Sequence, residues 1–528
     1  MNKSYRPVVL VIIDGFGVPE QKSISTWEAA KQPNFAELEK FFPFTTVQAS
    51  GLAVGLPWGE SGNSEVGHLT IGSGRIIYNY LPRISSAIKD GSFFKNEGLM
   101  KALKHARQNK SSLHFIGLYS TGTVHAYFEH LHALLDFAKE NNSPAYLHLF
   151  TDGKDAPKKE GAQFYAELEE LIKNNYPDIK IASVVGRGFA MDRNGNWDRI
   201  QKAYNAFTNG EGNEFSTASE YVGGQYAKDL TDESIEPGAI SGEEGRIRDG
   251  DAAVIFNFRE DSIREITKAF AADDFNYFPR EKLDNFLLVT MTEYDKSLPC
   301  FDSGICPAAF KSAEVVLPLA EVIANNGMTQ LHIAETEKYA HITYFLNGGE
   351  ETSFPKEDRI LVPSPAGGRY DESPEMSADK VAENVLGNLD KYDFIAVNFA
   401  NADMVGHTGN FEATAKAIEK VDECIGKIVS KILETDGVMI ITADHGNAEE
   451  KVYKISGEKK SKHSNNPVPF FVIGKDFKRD EELSREGIDQ RYKDIAGTLS
   501  DAAPTVLELL GLKTPSEMTG KSLLGKIT

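Results

Sequence analysis

Three apolar runs in this chain close in the same way. "VVLVIIDGFG" ends on Asp14, "YDFIAVNFANADMVGH" leads to Asp403 and His407, and "GVMIITADHGN" ends on Asp444 and His445. Continuous apolar runs bounded by turn residues suit strands buried on both faces, the condition of a parallel sheet. Between them lie patterns such as "FEATAKAIEKVDECIGKIVSKILE", apolar at three- and four-residue spacing with charge opposite, which read as amphipathic helices. This alternation predicts an α/β fold built on a doubly wound, mainly parallel sheet. Ligands of such sheets sit beyond the carboxyl ends of the strands, which is where these acids and histidines fall.

The 528 residues allow roughly two to four domains. Five further apolar runs ("SLHFIGLYST", "AYLHLFTDG", "IKIASVVGRG", "DAAVIFNFRE" and "NFLLVTMTEY") separate the first polar-ended run from the other two. They predict a second α/β domain over residues 79–313, inserted into a first domain made of 1–78 and 314–528. The polar, turn-rich "DLTDESIEPGAISGEEGRIRDGD" is expected to be an exposed loop. With 57 Lys and Arg against 78 Asp and Glu, the net charge is −21. That balance argues against a nucleic-acid binder, and positive charge for a small anion would have to be focused locally. The three cysteines, Cys300, Cys306 and Cys424, form no disulfide framework and fit a cytoplasmic compartment. The N-terminal apolar run is too short to span a membrane and lacks a cleavage site, so it reads as a strand.

Taken singly, an Asp after a strand is a turn former or helix cap. Taken together, Asp14, Asp403, His407, Asp444, His445, and His463 in "KHSNNPVPF" make a carboxylate–imidazole set suited to Mn²⁺, Zn²⁺ or Mg²⁺. Two such clusters suggest two cations, a clamp for phosphoryl displacement. In "WGESGNSEVGHLTIGSGR", Ser64 has two readings: a helix cap with Glu65 in the first turn, or a nucleophile at a helix N-terminus, where anions bind. The inserted stretch adds His125, Asp155, Arg187, Arg193 and Arg259 near the ends of apolar runs, placed as anion clamps are placed. Arg199 and Arg264 read as solvated.

"GNSEVGH", "NFANADMVGHTGN", "ITADHGNAE", "AETEKYAHITYFLNGG" and "NPVPF" resemble cofactor-independent phosphoglycerate mutase, of the alkaline-phosphatase superfamily. The resemblance runs nearly end to end. It implies a phosphatase-like domain interrupted by a transferase domain, and interconversion of 3-phosphoglycerate and 2-phosphoglycerate through a phosphoserine. It implies Ser64 as nucleophile, Asp403, His407 and His463 at one metal, and Asp14, Ser64, Asp444 and His445 at the other. His125, Lys154, Asp155, Arg187, Arg193, Arg259 and Lys338 match substrate-handling positions. Lys338 would neutralise the transferred group and Asp155 would move the hydroxyl proton. The implied cofactors are two divalent ions, Mn²⁺ foremost, with no 2,3-bisphosphoglycerate, in a cytoplasmic monomer. The chain departs from the family pattern at Thr121, Lys154 and Ser262, where Asp, Arg and Arg are usual. A metal-dependent phosphomonoesterase or another phosphomutase with a modified clamp is the alternative.

Overall fold

The computed structural model describes residues 3–20, 25–242, 244–294, 307–453 and 456–527. Cys300 and Cys306 lie outside them. The chain forms two compact units, one of residues 1–79 with 313–528 and one of residues 80–312. Each is an eight-stranded sheet with its own apolar core.

In the first unit the strand order is Glu357–Val362, Gln330–Glu335, Phe394–Phe399, Val8–Ile13, Val438–Thr442, Val468–Ile473, Phe44–Gln48, Ile495–Thr498. The first five run parallel, and Val468–Ile473 is antiparallel to both its neighbours. Every residue of Val8–Ile13, Phe394–Phe399 and Val438–Thr442 is buried, which is why these strands are apolar throughout rather than alternating. The amphipathic pattern after Asn410 forms the 22-residue helix Phe411–Ile432, with the Asn410 side chain accepting from the Ala413 N–H as its cap.

The second unit orders its strands Ala308–Phe310, Leu287–Thr292, Ala252–Ile255, Leu113–Leu118, Ala145–Thr151, Ile179–Gly186, Gly238–Ile240, Asn213–Phe215. Among the described residues of this unit, only the Ile179–Gly186 and Gly238–Ile240 pair is antiparallel. The segment expected to be an exposed loop is not one. It holds the strand Gly238–Ile240 and the turn Asp232–Ser234, whose Asp232 is fully buried. The Asp232 carboxylate accepts the N–H groups of Glu160 and Gly161 at 3.0 and 2.9 Å, a tertiary use of an acid that local polarity does not reveal. No helix of the described residues is long and apolar enough to cross a membrane.

Candidate active site

Strand polarity gathers the first cluster. Four adjacent parallel strands, Gln330–Glu335, Phe394–Phe399, Val8–Ile13 and Val438–Thr442, deliver Lys338, Asp403, Asp14, and Asp444 with His445 beyond their carboxyl ends. Because Val468–Ile473 runs the other way, its entering end lies at that same edge and brings His463 there. Phe44–Gln48 points with the main set and leads through residues 49–63 to Ser64. Gly15 makes the tight turn after Asp14 at φ +72°, and a Cβ there would stand 2.8 Å from the Asp403 Cβ.

Ser64 opens the helix Ser64–Ser73, but it is not the cap. Asn63 caps, its side chain accepting from the Val66 N–H at 3.1 Å. The Ser64 hydroxyl is therefore free for other partners. It donates to Asp14 Oδ1 at 3.0 Å, accepts from Lys338 Nζ at 2.7 Å, and lies 3.1 Å from His445 Nε2. Lys338 Nζ also touches Asp14 Oδ1 at 2.7 Å and Asp403 Oδ2 at 2.6 Å. Burial opposes charge on all these groups, yet mutual attraction wins. Lys338 is raised above its usual range by Asp14, Asp403 and Asp444. Against burial, the Lys338 ammonium holds Asp14 and Asp403 well below theirs. Asp444, Asp14 and Asp403 together lift the buried His445 to about 9.

The donor chemistry fits divalent cations. His463 donates Nδ1–H to the Gly62 carbonyl at 2.7 Å and His407 donates Nδ1–H to the Ser461 carbonyl at 3.0 Å. Both Nε2 atoms are left facing each other at 3.0 Å, beside Asp403 Oδ1 at 3.4 and 3.3 Å. Two imidazole nitrogens and a carboxylate oxygen this close need a proton or a cation among them, and a carbonyl on Nδ1–H is the usual support of a ligating imidazole. Asp444 Oδ2 is buried without a hydrogen bond, and Lys338 and the raised His445 face three buried carboxylates. Ligand atoms converge within 4.8 Å in two groups, Asp403–His445–His463 and Asp14–His68–Asp444. His445 falls in the first of these groups and also reaches the second, its Nε2 lying 3.5 Å from Asp14 Oδ1 and 3.6 Å from Asp444 Oδ2, because it follows Asp444 directly and stacks on His463 with ring centroids 3.9 Å apart.

Sequence reasoning passed over His68 and Asn398. His68 is four residues after Ser64 on one helical face, and Asn398 is a lone polar residue in the apolar run "FIAVNF". Those were the available signals.

The second unit repeats the logic. Ala252–Ile255, Leu113–Leu118, Ala145–Thr151 and Ile179–Gly186 are adjacent and parallel, and their carboxyl ends lead to Arg259, His125, Asp155 and Arg187. A cavity of about 270 Å³ is lined by His125, Lys154, Asp155, Arg187, Arg193 and Arg259. Its charged lining is five cations against four acids, locally positive in a chain of strongly negative net charge. Arg187 Nη1 donates to Asp152 Oδ1 and Asp155 Oδ2, both at 2.6 Å. Burial and the neighbouring Arg187 lower His125 to about 4, so this imidazole is neutral at pH 7.

Arg199, read as solvated, is exposed and also lines the cavity. Arg264 does not; its Nε donates to the Tyr294 carbonyl at 2.8 Å. Ser262 is buried, and its hydroxyl lies 3.4 Å from Asp261 Oδ1. Asp261 in turn takes Arg193 at 2.8 Å and Arg259 at 3.5 Å. Thr121 donates through both its N–H and its hydroxyl to Glu160, at 2.9 and 2.8 Å.

A buried serine at a helix N-terminus, among carboxylates and imidazoles at the edge of a parallel sheet, defines a metal-dependent enzyme of phosphoryl chemistry. Residues 6–514 match the metalloenzyme superfamily. A 2,3-bisphosphoglycerate-independent phosphoglycerate mutase of Clostridium perfringens is 47% identical over 531 residues, covering 99% of this chain and 100% of the relative. The namesake enzyme of Moorella thermoacetica is 46% identical, covering 99% of each. A solved phosphoglycerate mutase of Leishmania mexicana aligns with 98% of this chain and 97% of its own, at 29% identity and TM-score 0.56. The chain belongs to the 2,3-bisphosphoglycerate-independent phosphoglycerate mutase family of the metalloenzyme superfamily.

Proposed function

We propose that the chain interconverts 3-phosphoglycerate and 2-phosphoglycerate through a phosphoserine on Ser64, with two divalent cations, Mn²⁺ foremost, and no 2,3-bisphosphoglycerate. The observation that carries this reading is the Ser64 hydroxyl, 2.7 Å from Lys338 Nζ and 3.0 Å from Asp14, inside the carboxylate–imidazole cluster. Asp403, His407 and His463 would hold one cation, and Asp14, Ser64, Asp444 and His445 the other. When bound, the cations supply Lewis-acid polarisation of phosphoryl oxygens and lower the hydroxyl pKa of the serine. Ser64, its proton given up to solvent under that lowered pKa, attacks phosphorus as the bond from phosphorus to the glycerate oxygen breaks, while Lys338 offsets the negative charge on Oγ. The helix N-terminus favours the anion formed there.

The glycerate released by that transfer must stay on the protein until its other hydroxyl attacks the phosphoserine. The arginine-lined cavity of the second unit has the charge to hold its carboxylate, with Arg187, Arg193, Arg259 and Lys154 as donors. Asp155 is our candidate for returning the proton to the departing glycerate oxygen and taking one from the hydroxyl that attacks. We place this work in the cytoplasm, in a monomer acting on a small anion.

The test is to incubate the purified protein with Mn²⁺ and 3-phosphoglycerate, without 2,3-bisphosphoglycerate, and to follow ³¹P NMR. The expected product is 2-phosphoglycerate, lost in EDTA and restored by Mn²⁺. Free phosphate as the sole product would make the chain a phosphomonoesterase instead. The Asp261 carboxylate, already occupying Arg193 and Arg259, is the observation that favours that second reading, since a weakly held glycerate leaves the phosphoserine to water.

A further inference from the structure

His68 lies among the metal-binding side chains, fully buried, with its Nδ1 3.2 Å from Asp444 Oδ2. Proximity alone would make it an eighth ligand. Its hydrogen bonds say otherwise. Nδ1 is 2.8 Å from the Ser64 carbonyl oxygen, which only accepts, so Nδ1 carries the proton. Asn398 Nδ2 stands 2.8 Å from Asp14 Oδ2. That carboxylate also only accepts, so Asn398 presents its NH₂ group here, and its second hydrogen meets His68 Nε2 at 3.0 Å. Both nitrogens of His68 are spent, one as donor and one as acceptor. His407 and His463 differ in just this respect, since their Nε2 atoms face the cluster.

We propose that His68 is a positioning residue and not a metal ligand. It links the Ser64 carbonyl through Asn398 to the Asp14 carboxylate, fixing the serine-bearing turn against the acid that accepts the serine hydroxyl's hydrogen bond. The same geometry leaves Asp444 Oδ2 without a hydrogen bond, because the His68 N–H 3.2 Å away is aimed at the Ser64 carbonyl, and so keeps that oxygen for a cation. The proposal rests on the two-cation reading above, but its decisive measurements do not depend on mutase turnover.

Long-range ¹H–¹⁵N spectra of histidine-labelled wild-type protein, metal-free and with diamagnetic Zn²⁺, should show the His68 proton on Nδ1, with Nε2 accepting, in both states. Metal analysis of His68→Ala should still find two ions per chain. In the 3-phosphoglycerate assay, kcat of His68→Ala should fall about 10–100-fold with KM little changed. His68→Asn, whose amide reaches the same carbonyl, should recover most of that loss. A Zn²⁺-induced coordination shift at a His68 nitrogen, loss of one bound ion in His68→Ala, or an unchanged kcat would each overturn the proposal. If His68→Ala does not fold, the wild-type spectra decide by themselves. An inactive wild type with the Nδ1–H tautomer intact would count against the mutase reading and not against this one.

Discussion

Ser64 and Lys338 differ in what their removal leaves behind. Ser64→Ala deletes the reacting hydroxyl, which is also one of the four groups proposed for the second cation, and leaves Asp14, Asp403 and Asp444 in place. Turnover should fall by about three orders of magnitude or more even at saturating Mn²⁺, and ³²P from labelled substrate should no longer remain on the acid-quenched protein. Lys338→Met instead strips the ammonium from the buried, ionised carboxylates of Asp14 and Asp403. Removing one partner from a buried ion cluster costs about 3–5 kcal/mol, so the metal-free variant should denature at lower urea than wild type. Because divalent cations offset the same charge, Mn²⁺ should recover most of that stability while kcat stays at least about 100-fold down. A variant as stable as wild type in EDTA would contradict the ionisation pattern inferred for this cluster.

At the scale of elements, the helix Ser64–Ser73 sets where the hydroxyl sits. Its cap is Asn63, and its underside rests on the turn after Val438–Thr442 at Gly67. A Cβ on Gly67 would come within 2.5 Å of the Asp444 carbonyl oxygen and 2.7 Å of the Asp444 Cβ. Those are contacts with backbone and the root of a side chain, so neither can swing aside. Gly67→Ala should push the helix off the Asp444 turn, weakening Mn²⁺ binding in calorimetry and lowering kcat together. Asn63→Ala should cost about 1 kcal/mol of stability and leave the metal ligands intact. The pair thus separates loss of a cap from displacement of a site.

For the molecule as a whole, acid exposes a weakness in the second unit. His130 and His148 are buried there, and burial lowers His130 to about 3 and His148 well below its ordinary value. In the unfolded chain each imidazole takes up a proton near pH 6.5. Between that pH and the lowered folded values, the unfolded state binds more protons than the folded one. Stability is therefore complete above about pH 6.5 and declines as pH falls, by about 1.4 kcal/mol per pH unit for each such imidazole. Urea midpoints at pH 7, 6, 5 and 4 should fall progressively. His130→Leu should flatten part of that slope, and an equally steep slope in the variant would rule out His130 as a source. Residues 80–312 form one continuous stretch with a core of their own, so the same slope should be seen in that segment expressed alone.

How much of this was legible beforehand follows from where the information lies. An acid closing a fully apolar run is visible in sequence, because strand burial on both faces leaves polar residues only at the ends. That put Asp14, Asp403 and Asp444 at one edge of a sheet, and the carboxyl ends of four adjacent strands do carry Lys338, Asp403, Asp14 and Asp444. Ser64 as a possible cap was the wrong local choice between two neighbours, since Ser and Asn both suit the position and only the folded loop assigns it to Asn63. Asp232, read as part of a polar loop, is buried because two backbone N–H groups from a distant helix start need its carboxylate. Periodicity and the order of polar-ended runs, properties of the chain read along its length, determined the fold class and the residue types of the site. Which nitrogen of each imidazole is open, which acid shares Lys338, and that Asp261 occupies the clamp arginines were decided only by tertiary structure. Those are distances between segments hundreds of residues apart, and hydrogen bonding and ionisation respond to distance, not to sequence separation.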